Sequence, residues 1–154
     1  MTQISHSKLK FFFKIIIIST LFLHCDNEKE FYFPYVEVDV RLHVYTDLAD
    51  MGNNTSKFYS GEYSGLGGIL IYRLSQWEFL AFDLACTYEI SPDCVIEKYK
   101  GVDIFFKCPC CSSEYTIDAN SINGNFVSKE PARFPLKQYN AYVDNDYLYI
   151  TNSL

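Results

Sequence analysis

Cys108, Cys110 and Cys111 put three thiols into four positions, interrupted only by Pro109. Thiols this dense mean a metal site, a disulfide, or both. A second cysteine-bearing stretch, "AFDLACTYEISPDC", holds Cys86 and Cys94 upstream. Each stretch follows a strand-like run, "EFLAFDL" before the first and "GVDIFFK" before the second. Two loops that present ligands toward each other from strand ends are how a β-domain holds a metal between its tips.

The rest of the chain supports a β-domain. Aromatic residues make up 18% of its 154 residues, and aromatic and β-branched wealth favours strands over helices. In "VEVDVRLHVY", 36–45, Val36, Val38, Val40, Leu42 and Val44 share one face, the alternation of a half-buried strand. Residues 46–68 are rich in Asp, Asn and Ser and hold five glycines, which mark turns. "GGILIYRL" and "EFLAFDL" are predicted to form a hairpin across Ser75-Gln76-Trp77. "GVDIFFK" and "EYTID" read as strands, and "NSINGNF" as a turn into a further short one. "LKQYNAYV" and "YLYITN" form a closing hairpin across Asp144-Asn145-Asp146. No stretch has a sustained helical period. The expected fold is all-β and antiparallel, with short strands.

The N-terminus has a different grammar. Lys8, Lys10 and Lys14 precede an apolar run from Ile15 to Leu23 and then Cys25. The run is shorter than the ~20 residues of a transmembrane helix and fits a secretory signal with a basic flank. "LFLHC" resembles a bacterial lipobox, in which the cysteine becomes the lipid-modified first residue; His24 departs from that motif's small residue. Asp26, Glu28 and Glu30 resemble the export signal of Bacteroidetes surface lipoproteins. The expected organisation is a signal peptide over 1–24, a tether over 25–34 and one domain over 35–154. The expected location is the bacterial cell envelope, as an outer-membrane lipoprotein facing the periplasm or the surface, with the membrane as partner through Cys25. An exported domain meets a compartment in which disulfides persist. Without the first 24 residues the chain keeps 10 basic and 19 acidic residues, a net charge of −9. That balance argues against a nucleic-acid partner, which needs a basic patch.

From about Gly67 to Asn152 the chain resembles a Rieske [2Fe–2S] domain. "Cys86-Thr87-Tyr88" stands where that family carries Cys-Thr-His, and "Cys108-Pro109-Cys110-Cys111-Ser112-Ser113" where it carries Cys-Pro-Cys-His-Gly-Ser. Exported Bacteroidetes lipoproteins with Cys-Pro-Cys-Cys in the second loop are the expected kin. The resemblance implies an antiparallel β-sandwich with a smaller cysteine-bearing, cluster-binding-like subdomain. It implies a disulfide between Cys94 and Cys110, and a ligand set of Cys86, Tyr88, Cys108 and Cys111. Both histidines of that set are replaced, by Tyr88 and Cys111. Imidazole ligands give Rieske clusters their raised potential, and a phenolate is a poor fourth partner for iron already held by thiolates.

Three chemistries remain open at these loops. The preferred one is a cofactor-free, disulfide-stapled scaffold or interaction domain for another envelope protein, with Cys86 free to pair with Cys108 or Cys111. The second is a metal site on Cys86, Cys108 and Cys111, completed by Cys94 or water. It would hold a [2Fe–2S] cluster in an electron-transfer protein or, less favoured, zinc. The third is a thiol-exchange pair, Cys108 with Cys111, aided by Lys107. An enzyme is not expected. Asp83 and Glu89 read as solvated loop acids, His43 lies away from both loops, and Gly65, Gly67 and Gly68 serve a tight turn. Trp77 and the tyrosines are expected in the core or on sheet faces.

If Cys25 carries the anchor, Cys25→Ser moves the protein out of the membrane fraction. Fractionation with mass analysis of the mature N-terminus checks this, and an unlipidated protein beginning at Met1 contradicts it.

Overall fold

Val40 and Leu42 turn inward from the first strand while Asp39 and Arg41 turn to solvent, the two-residue alternation of a sheet with one wet face. The computed structural model of the chain describes residues 31–121 and 124–152. The expected signal peptide, Cys25 and the start of the tether lie outside the described residues. Among the described residues ten strands follow one another: β1 Asp39–His43, β2 Thr55–Tyr59, β3 Ile69–Arg73, β4 Phe79–Asp83, β5 Glu97–Lys98, β6 Phe105–Lys107, β7 Glu114–Ile117, β8 Asn125–Lys129, β9 Gln138–Asp144 and β10 Tyr147–Thr151. A short 3-10 turn covers Tyr99–Gly101, and the described residues contain no α-helix.

The strands form two antiparallel sheets. One has six strands in the order β1-β10-β9-β4-β3-β2, and the other has four in the order β5-β6-β7-β8. Both expected hairpins are present: Ile71 faces Ala81 between β3 and β4, and Tyr149 faces Tyr142 between β9 and β10. The residues of the last turn, Asn145 and Asp146, both have positive φ, as its composition predicts.

Near-continuous apolar sequence in β3, "ILIYR", means burial on both faces, and the two faces serve different cores. Ile69 and Ile71 join Val40, Leu42, Phe79, Ala81, Leu148 and Ile150 in the core of the larger sheet. Leu70 and Tyr72 turn the other way. With Phe82 they meet Phe106, Tyr115 and Ile117 of the smaller sheet. The smaller sheet is therefore a cap on the outer face of β3 and β4, and both cysteine loops belong to it.

Asp83 carries the junction. It is fully buried at the end of β4. Its Oδ1 accepts the amides of Gly67 (3.0 Å) and Ala85 (2.7 Å), and its Oδ2 accepts the amide of Leu66 (2.7 Å) and the hydroxyl of Tyr139 on β9 (2.6 Å). Gly65, at φ +81°, fits beneath it, because a side chain there would run into the Asp83 carboxylate and the Tyr139 hydroxyl. Burial, then the hydrogen bond and charge of Asp83, raise the Tyr139 phenol above its ordinary range, so it remains a donor. A second tie links the sheets on the other side. Asp103 accepts from the Ser56 amide (2.8 Å) and hydroxyl (2.7 Å) on β2 and from Lys98 Nζ (2.6 Å) on β5.

The structure departs from the sequence reading in four places. The loop-rich stretch 46–68 contains β2, whose Ser56 is buried while Phe58 is exposed, so no apolar alternation announces it. Asp83 is a buried anchor, whereas Glu89 is exposed as expected. Trp77 sits in the β3–β4 turn at 44% exposure, edge-on to Tyr45, instead of in the core. Strand "GVDIFFK" is paired only over its last three residues, because the 3-10 turn takes its first glycine.

Tyr139→Phe removes one donor to Asp83 without changing ring volume. It is expected to cost about 1–3 kcal/mol, the penalty of an under-satisfied buried acceptor, read as a lower midpoint in urea or guanidinium unfolding.

Candidate functional site

The first cysteine loop starts where β4 ends. Past Asp83 the chain pairs with its own return: Ala85 bridges Val95, and the Cys86 amide donates to the Cys94 carbonyl (3.0 Å). The intervening residues close a turn in which the Ile90 amide reaches the Cys86 carbonyl (2.8 Å). The second loop is tighter. It leaves β6 and enters β7 with the Cys108 amide donating to the Ser113 carbonyl (2.9 Å) and the Ser112 amide to the Cys108 carbonyl (3.0 Å). Ser112 adopts φ 66° to close it, the left-handed region that glycine occupies at least cost.

A disulfide between Cys94 and Cys110 joins the two loops, with their Cα atoms 5.9 Å apart, as the Rieske resemblance implied. Its closed segment spans 16 residues, for which loop closure contributes about 3 kcal/mol. Under this staple lie three free thiols. Cys86 and Cys108 are buried and Cys111 is half-buried. Their Sγ atoms all lie within 4.8 Å of one another, and those of Cys86 and Cys111 are 3.5 Å apart.

Neutral donors ring these sulfurs. The Ser113 hydroxyl oxygen accepts the Ala132 amide (2.8 Å) and lies 3.1 Å from Cys111 Sγ, to which it can donate its hydrogen. The Tyr115 hydroxyl stands 3.2 Å from Cys86 Sγ and 3.0 Å from Thr87 Oγ1, and accepts the Thr87 amide at 3.2 Å. Thr87 donates its one hydroxyl hydrogen to the Phe134 carbonyl (2.7 Å), so at Tyr115 it can only accept. The one hydrogen of Tyr115 therefore has Thr87 Oγ1 and Cys86 Sγ as acceptors.

The thiols are pushed in opposite directions. Burial, with hydrogen bonding to the neighbouring thiols, pushes Cys108 up to about 12, against the pull of the Cys110 and Cys111 amides. Burial also acts on Cys111, but the Ser113 hydroxyl and amide and the other two thiols outweigh it and hold Cys111 below the ordinary thiol range. Tyr115 is raised by burial and by Cys86, so it stays a neutral phenol.

Of the four positions that match the Rieske ligands, the fold brings Cys86, Cys108 and Cys111 together. Tyr88 remains 55% exposed. Neither Cys108 nor Cys111 is bonded to Cys86; all three are free thiols. Cys111 Sγ lies 3.5 Å from Cys86 Sγ, and Cys108, the partner considered for exchange, lies within 4.8 Å of both. Lys107 does not serve these sulfurs. It pairs with Glu114 at 3.6 Å and lies over the Tyr99 ring. His43 packs edge-on against Tyr147 on the larger sheet. Ser113, Tyr115 and Thr87 went unassigned in the sequence; the run "CSSEY" held the signal, a hydroxyl two residues and a phenol four residues past Cys111.

A Rieske cluster does not fit these residues. Its imidazole ligands have no counterpart at the loops. Of the five cysteines among the described residues, the disulfide takes two, leaving one thiolate fewer than the four of an all-cysteine [2Fe–2S] site.

No family model and no curated protein matches the chain. Among solved structures, a chain of the complex of reduced oxygenase and oxidized ferredoxin in carbazole 1,9a-dioxygenase is similar at 16% identity and a TM-score of 0.47, over 72% of this chain and 99% of that one. The ferredoxin of carbazole 1,9a-dioxygenase from Nocardioides aromaticivorans IC177 is similar at 12% identity and a TM-score of 0.47, over 75% of this chain and 99% of that one.

Alkylation should separate the thiols by pH, because the thiolate is the nucleophile. In chelator-treated protein with its disulfide intact, Cys111 is expected to react first and at the lowest pH. Cys108, a thiol until about pH 12, is expected to resist iodoacetamide at neutral pH until the protein is unfolded. Peptide mass analysis across a pH series checks the order.

Proposed function

We propose that the protein is a cell-envelope lipoprotein, anchored through Cys25, whose Rieske-like domain works as a stapled scaffold without an iron–sulfur cluster. One observation carries this reading. On the two loops that resemble the family's cluster loops, the chain gathers three thiols within 4.8 Å of one another, and both family histidines are replaced. The Cys94–Cys110 disulfide supports it further, because the staple joins the loops without any cofactor. The anchor rests on the sequence alone: a basic flank, an apolar run and a lipobox-like "LFLHC". The partner is another envelope protein, and no catalytic group is assigned.

The second reading is electron transfer through a [2Fe–2S] centre with altered ligands. It is favoured by the same trio, since Cys86 and Cys108 match the two cysteine ligands of the Rieske family.

Protein purified from its own envelope separates the two. The scaffold reading expects substoichiometric iron and no rhombic Rieske-type spectrum. The double change Tyr88→His with Cys111→His restores the family's ligand set and is expected to gain a cluster under iron–sulfur reconstitution, while the natural sequence does not. Native protein with about two irons and two acid-labile sulfides and a reversible redox signal establishes the electron-transfer reading instead.

A further inference from the structure

Three buried or half-buried sulfurs facing one another, with no fourth His, Cys, Asp or Glu grouped with them among the described residues, describe a site for one ion. We propose that Cys86, Cys108 and Cys111 bind a single thiophilic d10 cation of the Zn2+ class, with solvent in the fourth position. This rests on the reading that the tip carries no iron–sulfur cluster.

The dimensions carry it. Zinc–thiolate bonds of ~2.3 Å set sulfur–sulfur edges of roughly 3.8 Å in a tetrahedral site. The three Sγ atoms already lie within 4.8 Å of one another, with Cys86 and Cys111 at 3.5 Å, so an ion is accommodated by shifts of a few tenths of an ångström to about one. Three thiolates select soft metals over magnesium or calcium. The two loops are held in place by the Cys94–Cys110 disulfide, so the sulfurs are gathered before any ion arrives.

Surrounding groups suit bound thiolates. Ser113 offers its hydroxyl hydrogen to Cys111 and Tyr115 can turn its own to Cys86, the outer hydrogen bonds that orient metal ligands. Each thiol that coordinates passes its proton to solvent. A divalent ion with three thiolates leaves one net negative charge, shared among these donors. Cys86 and Cys108 are buried while Cys111 is half-buried, so the ion enters on the Cys111 side, where the open position meets water. Tyr88, largely exposed, is not needed as a ligand.

The test uses the full-length protein, stripped of metal under anaerobic conditions with its disulfide kept, and titrated with Co2+ and then Zn2+. One equivalent of Co2+ is expected to give intense thiolate-to-cobalt charge-transfer absorption, lost when one equivalent of Zn2+ displaces it, and Zn2+ raises Tm. Cys111→Ser abolishes the band while the Cys94–Cys110 disulfide, checked by mass analysis, reports an intact fold. Tyr88→Phe leaves it unchanged. Tyr115→Phe keeps the stoichiometry at one but shifts the band and weakens binding by about 10–100-fold, the usual cost of a lost outer hydrogen bond. Absence of one-to-one uptake in protein whose three thiols remain free overturns the ion site and leaves the cluster-free scaffold standing. So does native protein in which Cys86 and Cys111 are joined by a disulfide. Iron arriving with acid-labile sulfide overturns the scaffold reading and the ion site with it.

Discussion

A buried carboxylate at the end of one strand determines where the cysteine loops go. Asp83 receives three backbone amides and one phenol. Those donors come from the glycine-rich turn before β3, from the chain just past β4 and from β9. No aliphatic residue could satisfy amides that neither sheet pairs, and an unmet buried donor costs free energy on the scale of a lost hydrogen bond. The consequence lies three residues on. Once the Ala85 amide is fixed on Asp83, Cys86 begins its loop from a defined point over the outer face of β3 and β4. The Ser56–Asp103–Lys98 tie fixes the opposite edge of the smaller sheet. Burial opposes ionisation of Asp103, but its hydrogen bonds to Lys98 and Ser56 win and lower it.

Positional accuracy at the tip follows from several short constraints. The disulfide sets the loops at a fixed separation, and backbone bonds at Cys86, Cys108 and Ser112 aim the sulfurs inward. Ser112 adopts a backbone conformation that costs a side-chain-bearing residue about 1–2 kcal/mol. The neighbouring Ser113 shows what that turn achieves: its buried hydroxyl is placed between the Ala132 amide and Cys111. Turn, hydroxyl and sulfur act as one unit.

Much of this was legible in the sequence, and the rest was hidden for identifiable reasons. Alternation in 36–45 and the apolar runs at 69–73 and 79–83 gave strands, because their periods report burial directly. The Cys94–Cys110 bond followed from the resemblance and not from spacing. β2 was hidden because its pairing with β3 depends on a partner strand and on Asp103, neither visible in "TSKFY". Asp83 was misread because a lone acid beside a loop is usually solvated, and four donors, three of them distant in sequence, decide otherwise. Cys111 was legible as a neighbour of Cys86 through the resemblance, but the 3.5 Å contact between two free thiols shows only in the fold.

Charge sets the last constraint on what the tip can hold. Apart from burial, which opposes ionisation, Cys111 is pulled down by a hydroxyl, an amide and neighbouring thiols, with no cation among the causes. Lys107, the nearest basic residue in sequence, is engaged by Glu114, which Lys129 also approaches at 3.3 Å. Neutral donors can support one thiolate in a half-buried site. Three at once need a positive charge between them, since burying an unpaired charge costs several kcal/mol or more. Burial already keeps Cys108 protonated at neutral pH. The trio thus has two conditions: empty, with Cys108 protonated, or deprotonated around an ion from solution. The same low-dielectric setting that suppresses ionisation in the first strengthens the metal–thiolate attraction in the second.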